Sequence, residues 1–254
     1  MAIDEAILLS LAAGDAPPTV RFFAWVPPCL SLGYAQPLAD VDLEQLRARG
    51  WGLVRRPTGG RAILHTDELT YSVIAPMAEP RVLGGVVESY RQLSAGLLRG
   101  LELLGLSARA DKEYVLPDRD AKGAVCFETP SNYEITVGDK KLLGSAQTRR
   151  RGIVLQHGTL PLTGDIARIC DALQFETGEK RQRARARVYE RAVTMATACG
   201  REVSWEEAAL ALARGFSEAL NLKLEMGALT PAEAELANRL QTEKYRSEAW
   251  SERV

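Results

Sequence analysis

The order of strand-like and helix-like segments restricts the fold of this chain more than any other feature. Three β-rich stretches, WGLVRR, AILH and ELTYSVIAP, follow one another with only short turns between them. A predicted hairpin, NYEITVGDKKLLGSAQ with Gly138-Asp139 at its turn, is then followed by the strand GIVLQHGTLPL. Because the chain lacks a regular β-α-β alternation, we predict an α+β fold with mixed or antiparallel sheets flanked by helices.

The remaining predicted elements come from helical spacing and short runs of β-formers. Helices are predicted where apolar residues recur every three to four positions: MAIDEAILLSLAAG ending at Gly14, VDLEQLRARG, residues 84–104, DIARICDAL, the stretch around Arg185 to Thr197, SWEEAALALARGFSEAL behind a Ser204–Glu207 capping box, and TPAEAELANRLQTEKY. Short strands are predicted at TVRFFAWV, CLSLGY and LKLEM. Since no Pro/Gly-rich linker interrupts the chain, we predict one catalytic domain over residues 1–254, with the helical portion from about Ser204 in the same unit.

Composition limits the kinds of partner. The 254 residues are 46% apolar and 26% charged, with a net charge of −1, which argues against a nucleic-acid binder because phosphate neutralisation needs a basic excess. No apolar run approaches the ~18 residues of a membrane span. The first residues lack the basic segment of a secretory signal. The four cysteines form no C-x-x-C pair and the two histidines lie far apart, so we expect no metal site and no disulfide framework in a reducing cytoplasm.

The first segment with chemical character is VRRPTGGRAILH, residues 54–65. Gly59 and Gly60 let the backbone approach a ligand closely and leave amide N–H groups free to face a carbonyl or phosphate oxygen. Fixed positive charge flanks them at Arg55, Arg56 and Arg61. The alternative interpretation is an ordinary hairpin turn with exposed arginines.

The second segment, GAVCFETPSNYEITVGDKKLLGSAQ, combines a cysteine with a lysine. Lys141 follows Cys126 by fifteen residues, and a nearby ammonium favours the nucleophilic thiolate. The small side chains of Gly144, Ser145 and Ala146 would allow a substrate chain to approach the strand. Alternatively, Cys126 is a small buried apolar residue and the lysines are solvated turn residues.

The third segment is VLQHGTLPL. His157 followed by Gly158 within an apolar strand would place an imidazole and bare backbone beside a pocket. The alternative interpretation is that His157 only donates a hydrogen bond to a neighbouring carbonyl oxygen.

Taken in order, VRRPTGGRAILH, ELTYSV, CFETPSNYEI, KKLLGSAQTRR and GIVLQHGTL resemble the catalytic domain of the lipoate–protein ligase, octanoyltransferase and biotin ligase superfamily. The resemblance runs from the first helix to KYRSEAW and implies an α+β domain whose pocket holds a fatty acyl, lipoyl or biotinyl chain. It also implies that the R-R-x-[ST]-G-G loop, here Arg55, Arg56, Thr58, Gly59 and Gly60, lines that pocket. Lys141 would contact the acyl carbonyl. Tyr133, His65, His157 and Gly158 belong to the same motifs.

Within this superfamily, Cys126 decides the branch. Arg61 after the paired glycines and C-F-x-x-P-S-x-Y-E ahead of the lysine resemble the cysteine-dependent octanoyltransferases. That resemblance implies a thioester on Cys126, whose pKa Lys141 lowers, with no cofactor. The implied donor is octanoyl-acyl carrier protein or an octanoylated glycine-cleavage H protein. The implied acceptor is a lysine of a lipoyl domain or of H protein. An ATP-dependent lipoate ligase, using ATP and Mg with Lys141, is the alternative, and a non-catalytic binding protein is a further one.

Two further features bear on partners and on the sheet edge. The basic run EKRQRARARVYERA, residues 179–192, would suit an acidic carrier protein, or else form a solvated helix face. Members of the superfamily usually have a short strand before the first helix, whereas this sequence begins at the helix. Without that strand we expect one unpaired sheet edge.

Overall fold

The protein is described by a computed structural model over residues 1–110 and 134–254. The strands, in chain order, are β1 (Thr19–Phe23), β2 (Cys29–Leu32), β3 (Gly52–Arg55), β4 (Ile63–His65), β5 (Glu68–Pro76), β6 (Arg109–Ala110), β7 (Glu134–Val137), β8 (Lys140–Arg150) and β9 (Ile153–Pro161). The α-helices are α1 (Ala2–Ala13), α2 (Leu43–Ala48), α3 (Val86–Leu103), α4 (Gly178–Arg191), α5 (Met195–Cys199), α6 (Trp205–Leu220), α7 (Pro231–Leu240) and α8 (Glu248–Ser251).

Two sheets organise these elements. The larger has the strand order β1-β5-β9-β8-β7-β6, with every neighbouring pair antiparallel. The smaller has the order β3-β2-β4, where β2 pairs parallel with β3 and antiparallel with β4. The predicted α+β class, with mixed and antiparallel sheets flanked by helices, is therefore confirmed.

Helices α3 and α6 cover one face of the larger sheet. Their apolar stripes pack on the odd-numbered side chains of β5, including Leu69 and Tyr71, and Phe216 of α6 lies fully buried against the Tyr71 ring at 6.1 Å between centroids. Each fully buried apolar side chain of this size contributes roughly 1.5–3 kcal/mol to the stability of the fold. Helix α1 covers part of the opposite face, where it packs on Ile74, Ile153 and Leu155.

Most predicted elements are present, with shifted ends. Helix α1 stops as predicted, at Gly14 in the left-handed conformation. The strand predicted over residues 19–26 ends at Phe23. The segment predicted around Arg185 to Thr197 is two helices, and the break between them pairs Ala192 with Lys141 at the start of β8.

Three predicted elements differ from the structure. LKLEM forms no strand, and Met226 within it is fully exposed, so the predicted strand does not join either sheet. DIARICDAL is a six-residue 3-10 helix, Ile166–Asp171, whose first turn is capped by Asp165. Ser204 caps α6 by accepting from the Glu207 N–H, but the Glu207 carboxylate pairs with Arg201 instead of returning to Ser204. Within the residues described, none of the helices combines the length and apolar character needed to cross a membrane.

Candidate functional site

The floor of the candidate site is the polar part of one face of the larger sheet. Strand register places Ser72, His157 and Ala146 side by side across β5, β9 and β8. The next row on this face consists of Thr70, Thr159 and Gly144, again side by side across β5, β9 and β8. Alternation along a strand puts all of these side chains on the face that α1 covers farther along. The face is apolar where α1 packs on Ile74 and Leu155 and becomes polar and small toward Gly144, with Ser72 donating to Asp4 of α1 at the boundary. A few polar groups beside an apolar surface are typical of a ligand site.

A glycine loop, Thr58–Arg61, lies opposite this floor. Its carbonyls are turned into the protein. The Tyr34 N–H donates to the Thr58 oxygen at 2.8 Å, and the Arg56 guanidinium donates to the oxygens of Gly59 and Arg61 at 2.8 and 2.7 Å. Because a trans peptide points its N–H away from its carbonyl, the amides that follow are turned outward.

The outward amides give the glycine loop the character of an anion-binding nest. Gly60 has φ +93°, a left-handed conformation that glycine adopts without strain. Within residues 1–110 and 134–254, no backbone carbonyl accepts from the N–H groups of Gly59 or Gly60. Backbone donors of this kind can stabilise a carboxylate, a phosphate or the oxyanion of an acyl-transfer intermediate.

Thr58 and His157 join the glycine loop to the floor. The Thr58 Oγ1 lies 2.6 Å from His157 Nε2, and both side chains are buried. Burial lowers the pKa of His157 to about 3, so the imidazole is neutral at physiological pH. His157 therefore serves as a hydrogen-bonding group there and not as a cation.

This environment predicts a pH dependence of stability. The folded-state pKa of His157 lies below the unfolded value of about 6.5, so protonation favours the unfolded chain. We expect the free energy of unfolding to fall as pH drops from about 6.5 toward 4, by at most about 1.4 kcal/mol per pH unit from this group. Urea titrations across this range would measure it. His157→Gln should lower the slope of the free energy of unfolding against pH by the amount that corresponds to about one bound proton. An unchanged slope would contradict the lowered pKa of His157.

Lys141 lies at the β7 edge of the same floor. Its ammonium donates to Glu134 Oε1 at 2.8 Å, and only 5% of its side chain is exposed. It also lies against Gly144, where an added Cβ would come within 3.1 Å of Nζ. Gly144 is thus the residue that leaves room for the lysine over the strand. The result is a buried positive charge beside the polar floor.

Arg55 and His65 face protein groups. Arg55 is fully buried, and its guanidinium donates to the carbonyls of Gly33, Gln36 and Ser251, behind the glycine loop. Both ring nitrogens of His65 lie within hydrogen-bonding distance of side chains, Ser31 Oγ at 2.8 Å and Glu68 Oε1 at 2.6 Å. A direct contact of either residue with substrate stays a prediction.

The other predicted residues divide between the two faces of the sheet. Ala146 lies on the site face beside His157, whereas Ser145 and Gly158 oppose each other on the helix face. Ser145 Oγ lies there 2.7 Å from the Tyr71 hydroxyl. Sequence spacing grouped Gly144, Ser145 and Ala146, but strand alternation separates the middle residue from the site floor.

Cys126 and Tyr133 lie outside the described residues. The other cysteines are poor nucleophiles by their surroundings: burial raises the pKa of Cys29 to about 12, and burial also raises the pKa of Cys199. Cys170 is fully buried. Because the thiolate is the reactive form, these surroundings disfavour the three thiols as nucleophiles.

The sequence patterns do not single out three residues that support the site. Gly33 packs against the glycine loop, and Ser31 and Glu68 bind its supporting side chains. Glu134 is the last residue of the C-F-x-x-P-S-x-Y-E motif, but its ion pair with Lys141 is not evident from that motif. Gly33 and Ser31 act through partners distant in sequence, which no local pattern reveals.

The basic run on α4 is largely neutralised. Its side chains form ion pairs with neighbouring carboxylates: Lys180 with Glu176, Arg181 with Asp42, Arg183 with Glu179, and Arg185 with Asp165 and Asp171. This arrangement favours the interpretation of the run as a solvated, ion-paired helix face over a dedicated docking surface.

Comparison with known proteins agrees with this geometry. The family model described as the lipoyl protein ligase A/B catalytic domain matches residues 1–217. Octanoyltransferase LipM from Kyrpidia tusciae is 45% identical, with 100% of this chain and 93% of that protein covered. Octanoyltransferase LipM from Symbiobacterium thermophilum is 46% identical with the same coverage.

Solved structures share the fold. The bi-partite lipoate protein ligase of Thermoplasma acidophilum, studied with its E2 lipoyl domain, has a TM-score of 0.81 at 27% identity, covering 98% of this chain and 89% of that one. A lipoate-protein ligase A bound with ATP has a TM-score of 0.79 at 29% identity, covering 98% and 91%. The chain therefore belongs to the lipoyl protein ligase A/B catalytic-domain family and, within it, to the LipM-type octanoyltransferases.

Proposed function

We propose that this protein transfers an octanoyl group from the thioester of acyl carrier protein to a lysine of a lipoyl domain or of glycine-cleavage H protein, through a thioester on Cys126. The observation that carries the proposal is the buried Lys141 ammonium beside the polar sheet face, opposite a loop whose amides point outward. Those groups suit the negative charge that develops on a carbonyl oxygen during acyl transfer.

Cys126 is the nucleophile in this proposal. The burial of Cys29 and Cys170 and the raised pKa of Cys199 disfavour a thiolate at those three positions, which supports the choice of Cys126. It also stands in the motif that resembles the cysteine-dependent octanoyltransferases.

The reaction needs two acyl transfers. The Cys126 thiolate attacks the octanoyl carbonyl, the carbon–sulfur bond to the carrier breaks, and the carrier thiolate takes a proton. A neutral acceptor lysine then attacks the new thioester, loses a proton as the amide forms, and releases the Cys126 thiolate. Lys141 and the glycine-loop amides stabilise the oxyanion in both steps. Since amide formation from a thioester is downhill, the transfer needs no ATP.

The relatives support the assignment of donor and acceptor. The two compared curated relatives are named octanoyltransferases, which supports octanoyl as the transferred group. The Thermoplasma acidophilum ligase was studied with its E2 lipoyl domain, which supports a lipoyl domain as acceptor. Carrier and acceptor proteins of this kind act in the cytoplasm, which we propose as the location.

An ATP-dependent lipoate ligase is the competing function, because the compared solved structures are ligases. The higher identity to octanoyltransferases, 45–46% against 27–29%, favours transfer from a thioester. The two functions separate in one assay. The purified protein, octanoyl-acyl carrier protein and a lipoyl domain should give octanoylated lipoyl domain without nucleotide. A strict requirement for ATP, or ATP–pyrophosphate exchange with free lipoate, would establish the ligase instead.

A further inference from the structure

We propose that Glu68, His65 and Ser31 form a positioning relay that holds Arg56, and through Arg56 the glycine loop, in the geometry needed for oxyanion stabilisation. The inference rests on the proposed acyl transfer and assigns His65 a role through its neighbours. The relay connects the start of β5 with the loop by side-chain hydrogen bonds.

All four side chains are withdrawn from water. Ser31 is fully buried, and Arg56, His65 and Glu68 are 3–5% exposed. The contacts run in sequence: Arg56 donates to Ser31 Oγ at 3.2 Å, Ser31 Oγ lies 2.8 Å from His65 Nε2, and His65 Nδ1 lies 2.6 Å from Glu68 Oε1. Hydrogen bonds in such a low-dielectric setting are strong when satisfied and costly when broken.

One donor at the loop end sets the direction of the relay. A guanidinium only donates, so Ser31 Oγ accepts from Arg56. The relay uses the His65 tautomer that carries its proton on Nδ1, so that the Ser31 hydroxyl donates to Nε2 and Nδ1 donates to Glu68. It thus links the Arg56 guanidinium at the loop end to the Glu68 carboxyl group at the sheet end.

The far end of the relay is also held. Glu68 accepts from the Thr70 hydroxyl, which in turn accepts from the Trp25 indole N–H at 2.9 Å. The Trp25 ring stacks on the imidazole of His65, with the ring centroids 4.3 Å apart. These contacts leave His65 little freedom to rotate, so its position is set by the sheet.

At the other end, Arg56 acts directly on the glycine loop. The same guanidinium that contacts Ser31 donates to the carbonyls of Gly59 and Arg61. Holding the Gly59 carbonyl inward turns the N–H of Gly60 outward. A shift of Arg56 would therefore reorient a donor of the nest, although neither His65 nor Glu68 would touch the reacting atoms.

The test uses Ser31→Ala in the full-length protein, with Ser94→Ala as the matched control. Ser94 is equally buried, but it lies in α3 beyond the opposite face of the sheet, where it donates to the Tyr90 carbonyl. Acylation by octanoyl-acyl carrier protein is followed by intact-mass measurement at varied donor concentration. Removing one oxyanion donor costs 10²–10³ in rate, so a misplaced donor should lower kcat for acylation by about tenfold while KM for the donor stays within about threefold.

A second readout does not depend on activity. Backbone ¹⁵N order parameters of Gly59 and Gly60 should fall from about 0.85 to below about 0.6 in Ser31→Ala and stay unchanged in Ser94→Ala. Glu68→Gln should change both readouts in the same direction. Unchanged kcat and order parameters in Ser31→Ala and Glu68→Gln, or equal losses in Ser94→Ala, would overturn the relay. If the unaltered enzyme forms no octanoyl adduct, the proposed function fails, and the order parameters alone decide the relay.

Discussion

Replacing Lys141 with alanine should lower the rate of octanoyl transfer by about 100- to 1,000-fold, the loss expected when one oxyanion-stabilising donor is removed. The ammonium is buried, pairs with Glu134 at 2.8 Å and lies against Gly144 on the site floor. Its removal also breaks the buried ion pair with Glu134, so the free energy of unfolding should fall by about 1–3 kcal/mol. Single-turnover transfer and urea denaturation measure the two effects separately.

Lys140→Ala is the matched control for this prediction. The side chain of Lys140 is exposed, and its ammonium donates to the Tyr189 carbonyl on the outside of the sheet. Transfer by this variant should stay within about twofold, and stability should change by less than about 0.5 kcal/mol. Lys141→Ala removes an ion pair as well as a donor. The double variant Glu134→Gln/Lys141→Met therefore tests whether the loss of activity has a cause other than a loss of folded protein. Equal activity in the Lys140 and Lys141 variants would exclude Lys141 from catalysis.

Replacing Gly33 with alanine should both destabilise the protein and abolish most of its activity. A Cβ at Gly33 would lie 1.8 Å from the carbonyl oxygen of Gly60, so either the glycine loop or β2 must move. Overpacking of a buried contact costs typically about 1–3 kcal/mol, and a backbone clash this close belongs at the upper end. The displaced loop would also lose the orientation of its outward amides.

Gly59→Ala provides the stability control for Gly33→Ala. An added Cβ there meets no atom within 4 Å, and Gly59 has no left-handed backbone conformation. Its unfolding free energy should therefore stay within about 0.5 kcal/mol of the unaltered protein. A Gly33→Ala protein that is as stable and as active as Gly59→Ala would show that the loop has more freedom than the close contact with Gly60 implies.

The sequence was informative about the fold where local patterns matched tertiary packing. Alternation and turn residues correctly predicted β5, the β7–β8 hairpin and β9. Strands β7, β8 and β9 follow one another along the chain and pair through short turns, and β5 is a central strand between β1 and β9. The pattern failed for LKLEM, whose residues alternate but which pairs with none of the strands in residues 1–110 and 134–254. Strand propensity expresses fit to a sheet, and a sheet edge is a property of the whole fold.

The motifs of the candidate site were predictable from the sequence, but the hydrogen bonds between its side chains were not. The paired glycines and Lys141 are recognisable in the sequence. Yet Arg55, also in the motif, donates to carbonyls behind the loop. The contacts of Ser31 with Arg56 and His65 join residues 25 and 34 positions apart. Such long-range pairings depend on which strands become neighbours in the smaller sheet, where β2 lies between β3 and β4, and residue spacing alone does not determine that order.

The most direct test of the account is the intact mass of the protein after incubation with octanoyl-acyl carrier protein in the absence of nucleotide. We predict one octanoyl adduct that peptide mapping assigns to Cys126, that a lipoyl domain discharges, and that is absent in Cys126→Ser together with all transfer activity. Cys29→Ser, which removes a buried thiol of raised pKa, should form the adduct normally. Full transfer by Cys126→Ser, or an adduct on another residue, would contradict the thioester mechanism.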